Sequence, residues 1–185
     1  MHLPNGAIYE ADFIDVAEKN ALVDWLDRLA WDESLKRRVQ HFGYRYDYRA
    51  RAVLPEAFLS PLSRELLTIA QRLVDWGHFA SLPDQVIANE YRPGQGIGAH
   101  IDCVPCFDDT IVSVSFLSQC EMVFAEKAGS SKSSIVLERR SAIILQEEAR
   151  YDWTHAISAR KSDVINGKRV PRERRISLTF RKVVQ

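Results

Sequence analysis

Cysteines, long apolar runs and net charge are all scarce in this chain of 185 residues, and each shortage closes off a class of protein. Three cysteines, Cys103, Cys106 and Cys120, are an odd number and too few for a disulfide framework, so a reducing, cytoplasmic setting is expected. No apolar stretch approaches the roughly 20 residues that span a bilayer, and the opening MHLPNGAIYEADFID lacks the basic-then-apolar layout of a secretory signal. No membrane partner is expected. The formal net charge is zero, which argues against holding nucleic acid by global charge alone. Repeats, low-complexity tracts and linkers are missing too, so 1–185 is expected to fold as one domain with a sizeable core, acting as a monomer.

The charge that is present is uneven. Arg160–Lys182 holds nine basic residues and only two acids, Asp163 and Glu173. Such a stretch is either a solvated strand face or a local phosphate-binding stripe.

Two early helices are predicted. Asp15-x-x-Glu18 reads as a capping box ahead of Ala21, Leu22, Trp25, Leu26 and Leu29 at helical spacing. Ser60-Pro61 reads as an N-cap with proline at the first helical position, before Leu62, Leu66, Leu67, Ile69, Ala70 and Leu73. The intervening VQHFGYRYDYR alternates like a strand or hairpin. From Gln85 the pattern becomes short strands: Gln85–Tyr91, Ala99–Asp102, Thr110–Ser118, Glu121–Glu126, Ser134–Leu137, Ala142–Leu145, Thr154–Ile157 and Arg175–Val183. The fold class is therefore mainly β (α+β), a sandwich or barrel with flanking N-terminal helices, with a jelly roll favoured. Residues 1–84 form the helical flank and a substrate lid, and 85–183 the jelly-roll core.

The stretch NEYRPGQGIGAHID follows turn chemistry with a histidine and a carboxylate one residue apart. On an extended strand His100 and Asp102 share a face. Among the other histidines only His155 sits in a late strand of the same barrel. Two histidines and a carboxylate on one side of a metal leave open positions, as in non-haem Fe(II) oxygenases. The alternative is a strand histidine bonded to Asp102. In RRISLTFR, Arg175, Ser177, Thr179 and Arg181 share one face, with Ile176, Leu178 and Phe180 on the other. Two arginines lining a cavity need carboxylate or phosphate partners.

Taken together, N-x-Y-x-P-G (Asn89, Tyr91, Pro93, Gly94), H-x-D (His100, Asp102), the late His155 and R-x-S-x-T-F-R (Arg175 to Arg181) resemble the AlkB family of Fe(II)- and 2-oxoglutarate-dependent dioxygenases. The resemblance covers about residues 40–183. It implies a double-stranded β-helix jelly roll, with His100, Asp102 and His155 as iron ligands and the catalytic centre. It implies 2-oxoglutarate binding by Asn89, Tyr91, Arg175, Ser177 and Arg181, with Arg175 on the distal carboxylate. O2 is the other co-substrate.

The implied reaction is oxidative dealkylation of an alkylated base in DNA or RNA, single-stranded or flipped out. Alternatives are hydroxylation of a modified tRNA wobble uridine, or of a protein side chain. GQGIGAHID, Arg139–Ser141 and Trp153–His155 resemble the wobble-uridine branch. Gly43-Tyr44-Arg45-Tyr46 is similar to the family's lid segment, which makes Tyr44, Tyr46 and Trp153 candidate substrate contacts. Arg37, Arg38, Arg45, Arg49, Arg51, Lys168, Arg169 and Arg172 are candidate phosphate contacts. Cys103-Val104-Pro105-Cys106 can be a zinc half-site or a redox pair, but no further paired thiol or βαβ pattern accompanies it, so ordinary small apolar residues are expected.

Overall fold

A computed structural model describes residues 2–184. The element order is β1 (Ala7–Glu10), α1 (Val16–Asp27), β2 (Arg38–Phe42), α2 (Arg64–Asp75), β3 (Gln85–Tyr91), β4 (Ile97–His100), β5 (Phe107–Leu117) and β6 (Cys120–Glu126). It continues with β7 (Lys132–Leu137), β8 (Ala142–Leu145), α3 (Glu147–Tyr151), β9 (Trp153–Ile157), β10 (Ser162–Ile165), β11 (Lys168–Pro171) and β12 (Arg175–Val183). Two antiparallel sheets face each other as a jelly roll. The larger has the order β1-β8-β5-β12-β3-β2, the smaller β4-β9-β6-β7, and β10-β11 is a separate hairpin.

Period-two alternation explains which residues face the helices and which face inward. Ile176, Leu178 and Phe180 of β12, Val86 and Ala88 of β3, and Val112, Val114 and Phe116 of β5 pack outward. There they meet Leu22, Val23 and Leu26 of α1 and Leu66, Ile69, Ala70 and Leu73 of α2. The second core lies between the sheets, where Ile111, Ile143 and Leu145 meet Met122, Phe124, Leu137 and Ile157. The larger sheet therefore carries an apolar layer on each side, and polar side chains directed inward are confined to one region.

The capping box forms as expected. Asp15 Oδ1 accepts from Glu18 N at 2.8 Å, and Glu18 Oε2 accepts from Asp15 N at 3.0 Å. The second helix starts later than Ser60-Pro61 implies: Ser63 is its N-cap and Arg64 its first residue.

The jelly-roll core is not confined to residues 85–183. Both edges of the larger sheet come from the N-terminal part, β1 pairing with β8 and β2 with β3. The same segment tethers α3, since Gln146 N donates to Gly6 O and Ala149 N to Asn5 O, each at 2.9 Å. The expected strand Ala99–Asp102 lies instead at Ile97–His100, so Asp102 follows the strand end.

Cys103 and Cys106 are joined by a disulfide, which corrects the expectation of two ordinary apolar thiols. The turn closed by Cys106 N donating to Cys103 O brings the two Cα atoms to 5.2 Å, within bridging range. Cys120 is free and buried.

Candidate active site

The two sheets enclose a cavity of about 410 Å³. Its floor begins at the β4–β9 pair, where His100 and His155 are direct cross-strand partners with ring centroids 4.3 Å apart. The turn ahead of β4 is tight for two local reasons. Gly94 has φ +92°, and a Cβ on Gly96 would lie 2.1 Å from Ile157 O, so only glycine lets this strand approach β9. Gly98 meets no such constraint.

Asp102 reaches the histidines from the turn after β4. Arg150, only 2 % exposed, holds that turn by donating from Nη1 to Asp102 O at 2.9 Å and from Nη2 to Cys103 O and Phe107 O at 3.3 Å each. The Asp102 carboxylate is divided between two neighbours. Arg181 Nε donates to Oδ1 at 2.7 Å, while Oδ2 lies 3.4 Å from His155 Nε2. The ligand atoms of His100, Asp102 and His155 all lie within 4.8 Å of one another.

The protonation states suit a cation. Burial pushes the Asp102 carboxyl up, but the Arg181 guanidinium and the two histidines pull harder, and the net pKa lies well below the usual carboxylate range. Burial lowers His155 to about 4, so its ring is neutral and able to ligate near pH 7. His100 Nδ1 lies 2.8 Å from Gly98 O, which assigns the proton to Nδ1 and leaves Nε2 as the donor atom. Two imidazoles and one carboxylate fit an Fe(II) site with open positions.

The far wall supplies an anion site. Arg175, 3 % exposed, donates from Nη2 to Ser115 Oγ at 2.8 Å and lies 5.4 Å over the Tyr91 ring. Its Nε and Nη1 are buried without a partner. Orphaned guanidinium donors cost about 1–3 kcal/mol or more, which a carboxylate would offset. Tyr91, Ser177 and Asn89 line the same wall, with Tyr91 and Ser177 hydrogen-bonded. These residues fit 2-oxoglutarate. Arg181, grouped with them on sequence, is committed to Asp102 and to Gln85 Oε1 at 3.1 Å.

On the substrate side the structure separates the candidates. Tyr46 lines the cavity, whereas Tyr44 and Trp153 do not. Tyr44 packs edge-on against Phe58 at 5.2 Å, and Trp153 packs on the inter-sheet core. Tyr48, Arg37 and Arg51 line the cavity together with Tyr46.

The C-terminal basic stripe is mostly neutralised inside the fold. Arg172 is buried and donates to both Asp163 oxygens, Arg160 pairs with Glu121 and Asp163, Arg174 with Asp27 and Glu90, and Lys182 with Asp84. Arg172 is therefore no phosphate contact. Arg38 is also tied, to Glu90. Arg49, Arg51, Lys168 and Arg169 remain exposed.

The sequence pattern described as the 2OG-Fe(II) oxygenase superfamily matches residues 20–181. The chain belongs to that superfamily. Within the 2OG-Fe(II) oxygenases it is AlkB-like and an oxidoreductase. It is 37% identical over 195 residues to the Alkylated DNA repair protein ALKBH8 homolog of Arabidopsis thaliana, covering 93% of this chain and 56% of that protein. It is 36% identical to the tRNA (carboxymethyluridine(34)-5-O)-methyltransferase ALKBH8 of Macaca fascicularis, covering 99% of this chain. The chain spans only 31% of that longer relative. A protein of Acanthamoeba polyphaga mimivirus, L905, is 32% identical over 98% of this chain and 86% of its own length. The structure of OsALKBH1 superimposes with a TM-score of 0.73 at 18% identity, covering 98% of this chain and 99% of that one.

Proposed function

We propose that this Fe(II)- and 2-oxoglutarate-dependent oxygenase hydroxylates an alkyl substituent on a nucleobase, with a modified uridine of tRNA as its first substrate class. One observation carries the reading. A single cavity is lined by the His100–Asp102–His155 donor set, by the half-unpartnered Arg175, and by Tyr46, Tyr48, Arg37 and Arg51.

His100, Asp102 and His155 would hold Fe(II), and Arg175 the distal carboxylate of 2-oxoglutarate, along the wall of Asn89, Tyr91 and Ser177. When bound, these partners together with O2 supply the oxidant that places oxygen into a C–H bond, with succinate and CO2 as co-products. Arg181 holds Asp102 so that one carboxylate oxygen faces the histidines. Ile143, Leu145, Met122 and Ile157 line the cavity with apolar surface and limit water. A donor set inside a barrel cannot reach an atom within a stacked helix, so the base must be unstacked or flipped. Tyr46 and Tyr48 offer ring faces for it, at about 1–3 kcal/mol per stacked base.

The fate of the product depends on the atom bearing the alkyl group. Hydroxylation beside nitrogen gives a hemiaminal that expels an aldehyde and restores the base. On a carbon-linked substituent the alcohol persists. Both kinds of target occur in the names of its relatives, a tRNA (carboxymethyluridine(34)-5-O)-methyltransferase and an alkylated DNA repair protein homolog. The uridine reading is favoured by the resemblance of GQGIGAHID, Arg139–Ser141 and Trp153–His155 to the wobble-uridine branch.

The test is mass analysis of oligonucleotides bearing a C5-substituted uridine or an N-methylated base, incubated with the protein, Fe(II) and 2-oxoglutarate. A gain of one oxygen on the uridine is expected. Loss of one methylene from the N-methyl base would instead establish dealkylation. Binding should weaken with salt, by a log–log slope of about −0.7 per phosphate contacted on a single strand. Turnover on peptides alone, without salt-sensitive oligonucleotide binding, would overturn the nucleobase reading.

A further inference from the structure

We propose that Arg37, held by Asn89 and backed by Tyr48, is the receptor for a carboxylate carried on the substrate base, so that an acidic substituent is selected over its neutral counterpart. The inference rests on the nucleobase reading and narrows it.

Charge balance in the cavity is the first observation. Four arginines line it, Arg37, Arg51, Arg175 and Arg181, against one acid, Asp102. Arg181 already takes Asp102. Fe(II) and the dianionic 2-oxoglutarate carry equal and opposite charge, so loading the site leaves the positive surplus in place. Arg175 has a partner in the distal carboxylate of the co-substrate. Arg51 is exposed to screening by solvent and salt. Arg37 is the half-buried cation left on the wall without an anion, since it forms no ion pair among the described residues.

Geometry is the second. Arg37 Nε donates to Asn89 Oδ1 at 2.9 Å, and its guanidinium carbon lies 5.9 Å from the Tyr48 ring centroid. The Asn89 bond fixes the fork and commits Nε, leaving the two Nη groups for another acceptor. A fork presented in this way matches the two oxygens of a carboxylate. Beside it the Tyr48 hydroxyl is buried without a hydrogen-bond partner. Two unmatched donors on one stretch of cavity wall call for an acceptor, and an acidic substituent supplies one. A backbone phosphate is better served by the exposed Arg49 and by Arg51, the one exposed arginine of the lining.

The experiment uses the full chain loaded with Mn(II) and 2-oxoglutarate. Oligonucleotides carrying 5-carboxymethyluridine or its methyl ester are titrated calorimetrically, and oxidation of each is followed with Fe(II). The wild type is expected to prefer the acid by about tenfold or more, the range of a charge-assisted hydrogen bond. Arg37→Gln should collapse the acid-to-ester ratio chiefly by weakening the acid, and Arg37→Lys should restore part of it. Equal treatment of acid and ester by the wild type, with both oxidised, overturns the inference and leaves the nucleobase reading standing. So does a variant that raises the KM for 2-oxoglutarate with the ratio intact, which assigns Arg37 to the co-substrate. Binding of neither oligonucleotide, with succinate still released, overturns both.

Discussion

Arg181 Nε donates to Asp102 Oδ1 at 2.7 Å, so the carboxylate that completes the donor set also neutralises a guanidinium that is only 8 % exposed. The two roles separate under mutation. Asp102→Ala should lose Mn(II) binding and also destabilise the metal-free protein. An unpaired buried charge costs about 3–5 kcal/mol, and at this size that is a fall in Tm of roughly 6–20 °C. His100→Ala should lose the metal with little change in Tm, because His100 is half-exposed and bonded only to Gly98 O. Paired calorimetric titration and thermal melts check both outcomes, and equal Tm values would contradict the coupling.

Arg175 should show the opposite balance. Arg175→Lys cannot reproduce the fork, and 2-oxoglutarate affinity should fall by about 10- to 150-fold, equivalent to a charged hydrogen bond of about 1.5–3 kcal/mol. Arg175→Met removes two donors that are buried without partners, which offsets the lost bond to Ser115 Oγ, so the unloaded protein should melt close to wild type. Unchanged 2-oxoglutarate affinity in the lysine variant would remove the anion role.

Tyr46 and Tyr44 are two residues apart and should behave differently. Tyr46 lines the cavity beside Phe107 and Tyr48, and Tyr46→Ala should raise the KM for an oligonucleotide by about 5- to 150-fold if a stacked base is lost. Tyr44 packs on Phe58, and Tyr44→Ala should be felt first as earlier proteolysis of residues 44–59. Reversal of the two effects would move the base to the Tyr44 side.

Acid should destabilise the fold through its neutral histidines. Burial is the main cause that lowers His41 to about 4. The unfolded chain takes a proton near 6.5, so His41 favours the folded state fully above that pH and loses stability as pH falls toward 4. The loss is at most about 2 kcal/mol by pH 5, and less after allowance for partial exposure. His155 acts in the same direction. His41→Phe keeps the edge contact with Tyr48 and should flatten the fall in Tm between about pH 7 and 5. An unchanged slope would exclude His41 as a contributor.

Much of the site is legible in the sequence alone. The alternation in Arg175–Val183 separates a helix-facing apolar row from a cavity-facing polar row, because a strand's period leaves no other arrangement once one face is buried. The histidines were legible for a similar reason, since chemistry demands those residue types. Arg150 was not. Its partners are backbone carbonyls, and carbonyls leave no mark on side-chain pattern. The basic stripe misled because its acids, Asp27, Glu90 and Glu121, come from distant parts of the chain and meet Arg160 and Arg174 only after the sheets assemble. Asp102 fell outside its expected strand because a clamp, rather than pleating, aims its side chain.

That clamp links distant parts of the chain mechanically. The five residues of α3 carry Arg150, which grips the turn bearing Asp102, and lead directly into β9, which bears His155. The start of α3 is itself pinned to Asn5 and Gly6. A displacement at the amino-terminal segment is therefore transmitted through α3 to Asp102 and His155 in concert, and reaches His100 only at second hand, through its cross-strand pairing with His155. Trimming or tagging close to residue 5 would disturb the donor triangle by way of α3, without touching a residue that lines the cavity.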